Sequence, residues 1–272
     1  MSLRGSRRTS MSRIIDEALA IIEDSIPNLY EVKAVRVCAG WSYTGVKLST
    51  GHVGICYSLL DEQAVHCCRI ARRAGGLAGS PAIELARLAR SWDLSESVVG
   101  VAALNALSQM VLSEERYVID EENFIDYVVA RVRATDTVAV VGNMRPLVDA
   151  LRGRVERLYV FERSPRFFDD YTLPDVACEE LLPEADVVLV TGSAIANKTI
   201  DRVLELSRGA REIGVVGPSA GLVPDPLFKR GVKVVGTIKP IDADRLLQII
   251  EEGGGTPHIK PAVKFINVRP KP

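Results

Sequence analysis

The sequence lacks the features that define several large classes of protein. None of its apolar runs approaches the about 20 residues that a membrane-spanning helix requires. Its net charge of −1 offers no basic surface for nucleic acid. We therefore expect neither a membrane partner nor a nucleic-acid partner. The basic N-terminus, residues 1–12, lacks the apolar segment of a secretory signal, and we interpret it as a flexible leader.

Cysteines are few, and their spacing is not that of a stable cross-link or a metal site. The chain has five cysteines and no CxxC pair. An odd, scattered set fits reduced thiols, so we predict a cytoplasmic protein. The one local group of soft metal ligands is His66, Cys67 and Cys68. Consecutive side chains point in different directions on a strand or a helix, so this group is a poor metal site. The sequence identifies no metal ligands.

The strongest positive signal is a short apolar run, VAVVG at residues 138–142, followed by polar residues and Pro146. A buried parallel strand typically gives such a run, with glycine at its end and a helical pattern after it. Similar runs lie at residues 158–162, 187–192, 213–217 and 232–236. This repetition of strand, turn and crossover predicts an α/β fold with a doubly wound parallel sheet. Ligands of such sheets bind outside the carboxyl ends of the strands.

The chain before this sheet predicts a smaller α+β unit. Hydrophobic periodicity predicts helices at residues 14–26, 81–91 and 95–112, and strands at residues 32–38, 44–48 and 53–57. Ser95 is the predicted N-cap of the third helix. We divide the chain into a leader (1–12), an α+β domain (13–115), an acidic connector without periodicity (114–122), an α/β domain (123–255) and a proline-rich tail (256–272). The tail is expected to cover the surface, with residues 263–268 as an edge strand.

The first candidate site lies where the run at residues 138–142 ends. Gly142 and Asn143 precede a helix, whose free amides and dipole favour an anion. Glu162 ends the next strand, where an acid can hold a ribose hydroxyl group. A dinucleotide fingerprint is absent because only one glycine is present. The structural alternative is a tight turn at Gly142 and a solvated Glu162.

Two further strand ends carry hydroxyl, amide and glycine residues. The turn after the third strand contains Thr191, Gly192, Asn197 and Thr199, and the turn after the fourth contains Gly217, Pro218 and Ser219. Their structural alternative is helix capping and tight turns. Because neighbouring strand ends share one edge of a sheet, we expect these turns to line one crevice.

Several motifs in one order resemble those of a known family. They are GWSYTGVKLS (residues 40–49), GLAGSPAIEL (76–85), GVAALNAL (100–107), VAVVGNMRP (138–146), LYVFERSP (158–165), LLPEADVVLVTGSAIANKTID (181–201) and GVVGPSAGLVPDPLFKRGV (214–232). Together they resemble the two-domain prokaryotic family described as putative heavy-metal chelation proteins, a domain of unknown function. The resemblance extends from about Ile14 to Gly255.

The resemblance implies an N-terminal domain similar to that of enolase, a C-terminal Rossmann-like domain and a cleft between them. It places Asn105 on the N-terminal side of the cleft. The matched positions on the C-terminal side are Gly142, Glu162, Thr191, Gly192, Asn197, Thr199, Gly217, Pro218 and Ser219.

Three functional hypotheses remain open at this point, and the plainest is an assembly protein whose cleft binds a partner. Of the other two, the first is a binding protein that holds a small anionic or metal-chelating ligand in the cleft and serves metal-cofactor metabolism. The second is a lyase or transferase with a nucleotide- or pterin-type cofactor, for which Glu162 and Lys198 are the titratable candidates. Whether the cofactor is a metal ion or a nucleotide-like molecule stays open. The frequency of two-fold dimers is the sole basis for expecting a homodimer.

Overall fold

The computed structural model describes residues 13–63 and 73–272. The leader and the group His66, Cys67 and Cys68 lie outside the described residues. Within the described part of the chain, no helix has the length and apolar character that crossing a bilayer requires.

The N-terminal part contains one small antiparallel sheet, with strand order β1-β2-β3. Its elements are α1 (Arg13–Ser25), β1 (Ala34–Ala39), β2 (Tyr43–Leu48), β3 (Val53–Tyr57), α2 (Ala82–Ala86) and α3 (Leu94–Ser108). The predicted N-cap of α3 was wrong by two positions. Asp93 takes that role, because its carboxylate accepts from the amides of Ser95 at 3.0 Å and Glu96 at 3.4 Å.

The C-terminal part is built on an eight-stranded sheet in the order β4-β11-β10-β9-β8-β5-β6-β7. Its strands are β4 (Tyr117–Asp120), β5 (Thr137–Val141), β6 (Arg157–Glu162), β7 (Thr172–Pro174), β8 (Val187–Thr191), β9 (Glu212–Val216), β10 (Val234–Pro240) and β11 (Val263–Pro270). Its helices are α4 (Phe124–Val129), α5 (Arg145–Leu151), α6 (Cys178–Leu181), α7 (Ser193–Ala196), α8 (Ile200–Leu206), α9 (Asp225–Phe228), α10 (Ala243–Glu251) and α11 (Thr256–Ile259). The six strands from β10 to β7 are parallel, which confirms the α/β class and the parallel sheet.

Two predictions about the ends of this sheet were wrong. The acidic connector contains β4, and the tail contributes β11 between β10 and β4 instead of an edge strand. Within β11, Ile266, Asn267 and Val268 are buried, whereas Lys264 and Phe265 are exposed. Consecutive buried residues fit a strand that is hydrogen-bonded to a neighbour on each side. The domain boundaries at 115, 123 and 255 stay predictions.

Two helices cover the small sheet on opposite faces. Gly54 of β3 faces the backbone of α3, and Gly45 of β2 faces Leu247 and Ile250 of α10. Helix α10 follows β10 in the chain, so the C-terminal part supplies one cover of the N-terminal sheet. The largest hydrophobic cluster likewise contains buried residues of both sheets. The small sheet is thereby held against the carboxyl edge of the large one.

Candidate functional site

A cleft of about 1250 Å³ lies at the carboxyl ends of β5, β6, β8 and β9 and beside the middle of β10. Tyr43, Tyr57 and Leu59 from the small sheet and the segment after it also line the cleft. Except for Asn105, all of the site residues predicted from the sequence line it. They are Gly142, Asn143, Glu162, Thr191, Gly192, Asn197, Thr199, Gly217, Pro218 and Ser219. The expectation that successive turns share one crevice agrees with this geometry.

The carboxylate of Glu162 accepts hydrogen bonds from backbone amides of two neighbouring loops. One carboxylate oxygen accepts from the amide of Asn143 at 2.9 Å. The other accepts from the amides of Arg163 at 2.7 Å and Ser164 at 2.9 Å. The carboxylate therefore joins the β5 loop to the β6 loop. The sequence predicts a contact with a ribose hydroxyl group instead.

Close packing fixes the backbone of the β5 and β8 turns. Gly142 has φ +91°, and a Cβ there would lie 2.6 Å from Cγ2 of Thr191. A Cβ on Gly192 would lie 2.6 Å from the amide nitrogen of Ala220. A side chain larger than hydrogen is therefore excluded from both positions, and the backbone itself forms this part of the wall.

Asn105 and Ser219 join the two sheets beside the cleft. The Ser219 hydroxyl oxygen accepts from the amide of Tyr57 at 2.8 Å, and the Ser219 carbonyl accepts from Asn105 Nδ2 at 3.1 Å. Asn105 Nδ2 also donates to the carbonyl of Ile55 at 2.9 Å. Asn105 is buried in α3 and does not line the cleft. The structure therefore gives it a positioning role in place of the predicted ligand contact.

Glu62 is a cleft acid that the sequence prediction did not place among the residues of the cleft. It follows β3, and its carboxylate accepts from Arg163 Nη1 at 3.2 Å and from Asn197 Nδ2 at 3.3 Å. Only 14% of its side chain is exposed, and burial raises the pKa of this carboxyl group. Asn197 is held in place because its Oδ1 accepts from the Thr199 hydroxyl group at 2.8 Å. No local sequence signal distinguishes Glu62, since it reaches the site only through the packing of two sheets.

Acidic side chains outnumber basic ones along the cleft. The acids that line it are Asp61, Glu62, Glu122, Glu162, Asp175 and Glu179, and the bases are Arg145, Arg163 and Arg202. Arg163 is paired with Asp175 at 2.7 Å and Arg202 with Glu179 at 2.5 Å. Much of the remaining wall is apolar or aromatic, including Phe124, Val141, Met144, Leu147, Phe161, Val203 and Leu206. The lining suits a sizeable organic molecule better than an isolated small anion.

Lys198 lies behind the cleft wall and not on it. Its φ is +70°, and its Nζ donates to the Ala196 carbonyl at 2.9 Å and to the Ser97 hydroxyl group. Ser97 is fully buried in α3, so the lysine joins the β8 turn to the N-terminal part. Burial lowers the pKa of Lys198 to about 8. This position weakens the earlier hypothesis that Lys198 acts on a ligand.

The pKa of Lys198 leads to a test of stability against pH. It falls from 10.5 to about 8 on folding, so the unfolded chain binds more protons than the folded protein between these pH values. The free energy of unfolding is expected to rise with pH through this window, by on the order of 2 kcal/mol from this residue. Urea unfolding at about pH 7.5 and about pH 10 measures the rise, and Lys198→Met should remove it. An equal rise in both proteins would contradict the assignment.

The described residues do not fit a bare metal ion. Within residues 13–63 and 73–272, no group of three or more His, Cys, Asp or Glu side chains is placed to hold one. The three described thiols are buried and well separated in the chain. Burial raises the pKa of Cys38 to about 11 and that of Cys56 and Cys178 to about 12, so they stay protonated at neutral pH.

Comparisons with known proteins give one consistent result. The family model DUF364, described as "putative heavy-metal chelation", matches residues 123–269, and the model DUF4213, with the same description, matches residues 22–108. An uncharacterised protein of Methanocaldococcus jannaschii is 35% identical over 186 residues, which cover 66% of this chain and 69% of that protein.

Two solved structures have the same overall fold. A DUF364 protein of unknown function from Pyrococcus horikoshii has a TM-score of 0.79 at 25% identity, with 95% of this chain and 98% of that one covered. A DUF364 protein from Desulfitobacterium hafniense has a TM-score of 0.78 at 25% identity, with 94% and 99% covered. With the family model matched over residues 123–269 of 272, the chain belongs to the DUF364 family, which is described as putative heavy-metal chelation.

Proposed function

We propose that this protein binds a metal-chelating small molecule in the cleft between its two sheets and serves metal-cofactor metabolism. The observation that carries the proposal is the cleft itself, with a volume of about 1250 Å³ and a largely apolar wall. Sites for small organic ligands are concave and mostly apolar, with a few polar groups that fix orientation. The turns at Gly142, Thr191 and Gly217 supply such polar groups at one edge of the sheet.

A chelate reconciles the family description with the residues present. A structural site for a bare heavy-metal ion needs several protein ligands around one point, and the described residues offer no such group. An organic chelator brings its own ligands and requires from the protein a cavity of suitable size. The excess of acidic side chains around the cleft favours the cationic or neutral charge that a bound metal gives to an anionic chelator.

The enzyme alternative has less support from the geometry. A nucleotide on the large sheet would use Glu162 for its ribose, and that carboxylate already accepts three backbone hydrogen bonds. Lys198, the other titratable candidate, does not line the cleft. A lyase or transferase with a nucleotide- or pterin-type cofactor therefore ranks second.

Native mass spectrometry tests the proposal. Protein purified without oxygen or added chelator is expected to carry an adduct that contains both organic mass and a metal, confirmed by elemental analysis. Asn197→Ala should lower the occupancy of this adduct several-fold, because Asn197 lines the cleft. The control Gln248→Ala, which removes an exposed amide from α10, should leave it unchanged.

Each other outcome has a definite meaning. A metal adduct without organic mass would overturn the chelate in favour of a bare ion. An adduct of nucleotide or pterin mass without metal would favour the enzyme alternative. A bare chain that takes up no metal chelate on titration would contradict ligand binding altogether.

We also propose a cellular location, a class of partner and an oligomeric state for this protein. We place its action in the cytoplasm, where the unpaired thiols would stay reduced, with a small molecule or metal chelate as its partner and neither nucleic acid nor membrane. A homodimer is the proposed assembly on frequency alone. Light scattering on the purified protein measures the assembly directly.

A further inference from the structure

The carboxylate of Glu62 is bound by two donors in the cleft. The donors are Nη1 of Arg163, at 3.2 Å from one oxygen, and Nδ2 of Asn197, at 3.3 Å and 3.4 Å from the two oxygens. Both donors belong to turns that line the cleft at the edge of the large sheet. Glu62 belongs to a different part of the chain, the segment that follows β3.

The two donors are oriented by contacts of their own. Nε of Arg163 donates to Asp175 at 2.7 Å, which fixes the guanidinium plane. Oδ1 of Asn197 accepts from the Thr199 hydroxyl group and the Thr199 amide, so its Nδ2 points away from the turn. A guanidinium and an amide held in this way form a preorganised site for a carboxylate.

Glu62 fills this site with contacts that are long for a charged hydrogen bond. The 3.2 Å between Arg163 and Glu62 exceeds the 2.7 Å between Arg163 and Asp175. Charge-assisted hydrogen bonds are usually about 2.7–2.9 Å long. Burial also raises the pKa of Glu62, although Arg163 opposes that rise. The fit of this carboxylate is therefore weaker than the site allows.

Glu62 lies in a short segment, the strap, which runs from Leu59 to Gln63. Leu59 has φ +52°, which is uncommon for a residue with a side chain. Apart from Glu62, the strap is tied to the large sheet's loops by Asp61, which pairs with Arg166 at 2.9 Å. Arg166 is 74% exposed and Asp61 is 19% exposed in this ion pair. Leu59 is buried in the main hydrophobic cluster and anchors the start of the strap. Displacement of Glu62 from Arg163 is therefore a rotation of its side chain, with the strap backbone held in place.

We propose that Arg163 and Asn197 form the carboxylate-binding site of the cleft, that Glu62 occupies it as an internal competitor, and that a carboxylate of the ligand displaces Glu62. The inference rests on the proposed function, since it assigns a carboxylate to the chelating ligand. Carboxylates are hard ligands that also coordinate metal ions, so one chelator can offer some to the metal and one to Arg163. Glu162 and Asp175, the other acids near Arg163, keep their backbone and ion-pair partners throughout.

Calorimetric titration with citrate, a carboxylate chelator, tests the inference with and without Zn²⁺. If Glu62 occupies the site most of the time, Glu62→Ala is expected to bind citrate about tenfold more tightly than wild type. Arg163→Met should lose citrate binding in both backgrounds. The matched control is Glu251→Ala, which removes an ion-paired glutamate outside the cleft and should bind citrate as wild type does. Thermal melts establish that each variant is folded.

The outcomes separate this inference from the proposed function. Weaker or unchanged citrate binding in Glu62→Ala would overturn internal competition and make Glu62 a ligand contact or a bystander. Trimethyl citrate, which has the same skeleton and no carboxylate, should not bind; equal binding would overturn carboxylate recognition. A native organic–metal adduct, together with citrate binding that Glu62→Ala does not strengthen, would leave the proposed function standing while refuting this inference. If the purified protein carries no organic–metal adduct and Glu62→Ala does not strengthen citrate binding, both the proposed function and this inference are refuted.

Discussion

Gly54→Ala is expected to destabilise the protein by about 3 kcal/mol, because an added Cβ has no room. That Cβ would lie 2.2 Å from the carbonyl oxygen of Ala102 and 2.2 Å from the amide nitrogen of Ala106. Both atoms belong to the backbone of α3, which cannot move aside as the end of a flexible side chain can. The whole helix must shift away from the small sheet. Urea unfolding followed by circular dichroism measures the loss.

The control for this substitution is Gly209→Ala. A Cβ at Gly209 meets nothing closer than the carbonyl oxygen of Pro183 at 3.8 Å, so its stability should stay within about 0.5 kcal/mol of wild type. Because α3 also carries Asn105, which donates to Ser219, Gly54→Ala should disturb the cleft as well as the core. Wild-type stability for Gly54→Ala would show that the contact between β3 and α3 is looser than described.

Glu162→Ala is expected to lower the free energy of unfolding by about 3 kcal/mol, because three backbone amides lose a charged acceptor. If Glu162 only contacted a ribose hydroxyl group, as predicted from the sequence, alanine here would weaken ligand binding without affecting the fold. The hydrogen bonds revise that expectation, since the carboxylate holds the β5 loop to the β6 loop. Denaturant unfolding gives the stability, and native mass spectrometry gives the adduct occupancy of the same variant.

Glu156→Ala is the matched control for Glu162→Ala. Glu156 is an exposed acid just before the same strand, so its removal should change stability by less than about 0.5 kcal/mol. Glu162→Ala with wild-type stability and reduced adduct occupancy would restore the original hypothesis of direct ligand contact. Equal losses in the two variants would point to a general charge effect instead of the specific hydrogen bonds.

The parallel core of the fold could be predicted because its signal is local. Strands β5, β6, β8 and β9 are apolar runs that end near glycine or a polar residue, and each was predicted to within two residues. Of the two antiparallel additions, β4 was not predicted, and β11 was predicted as a strand but placed at the edge. Strand β4 has four residues, of which only Tyr117 is buried, so its burial pattern is too short to detect. Strand β11 lies in a proline-rich segment, and only long-range pairing shows that it is internal.

Some residues of the candidate site could be predicted from the sequence, whereas their contacts could not. Glycine, hydroxyl and amide residues at strand ends are local features, so Gly142, Thr191 and Gly217 could be placed on the cleft wall in advance. The hydrogen-bond partners of the cleft residues were not predictable. Asn197, for example, donates to Glu62, which is 135 positions away in the chain. Nor could the sequence show that Glu162 is occupied by amides, since those contacts depend on how two loops close.

The internal position of β11 has a consequence for the order of events on the ribosome. Strand β4 pairs with β11 through residues such as Asp120 and Asn267, which are 147 positions apart. Synthesis adds about 5–20 residues per second, so β4 waits several seconds or more for its partner. The small sheet likewise lacks the cover of α10 during that time. The N-terminal part therefore emerges with an uncovered apolar face, and its final packing depends on contacts of high contact order.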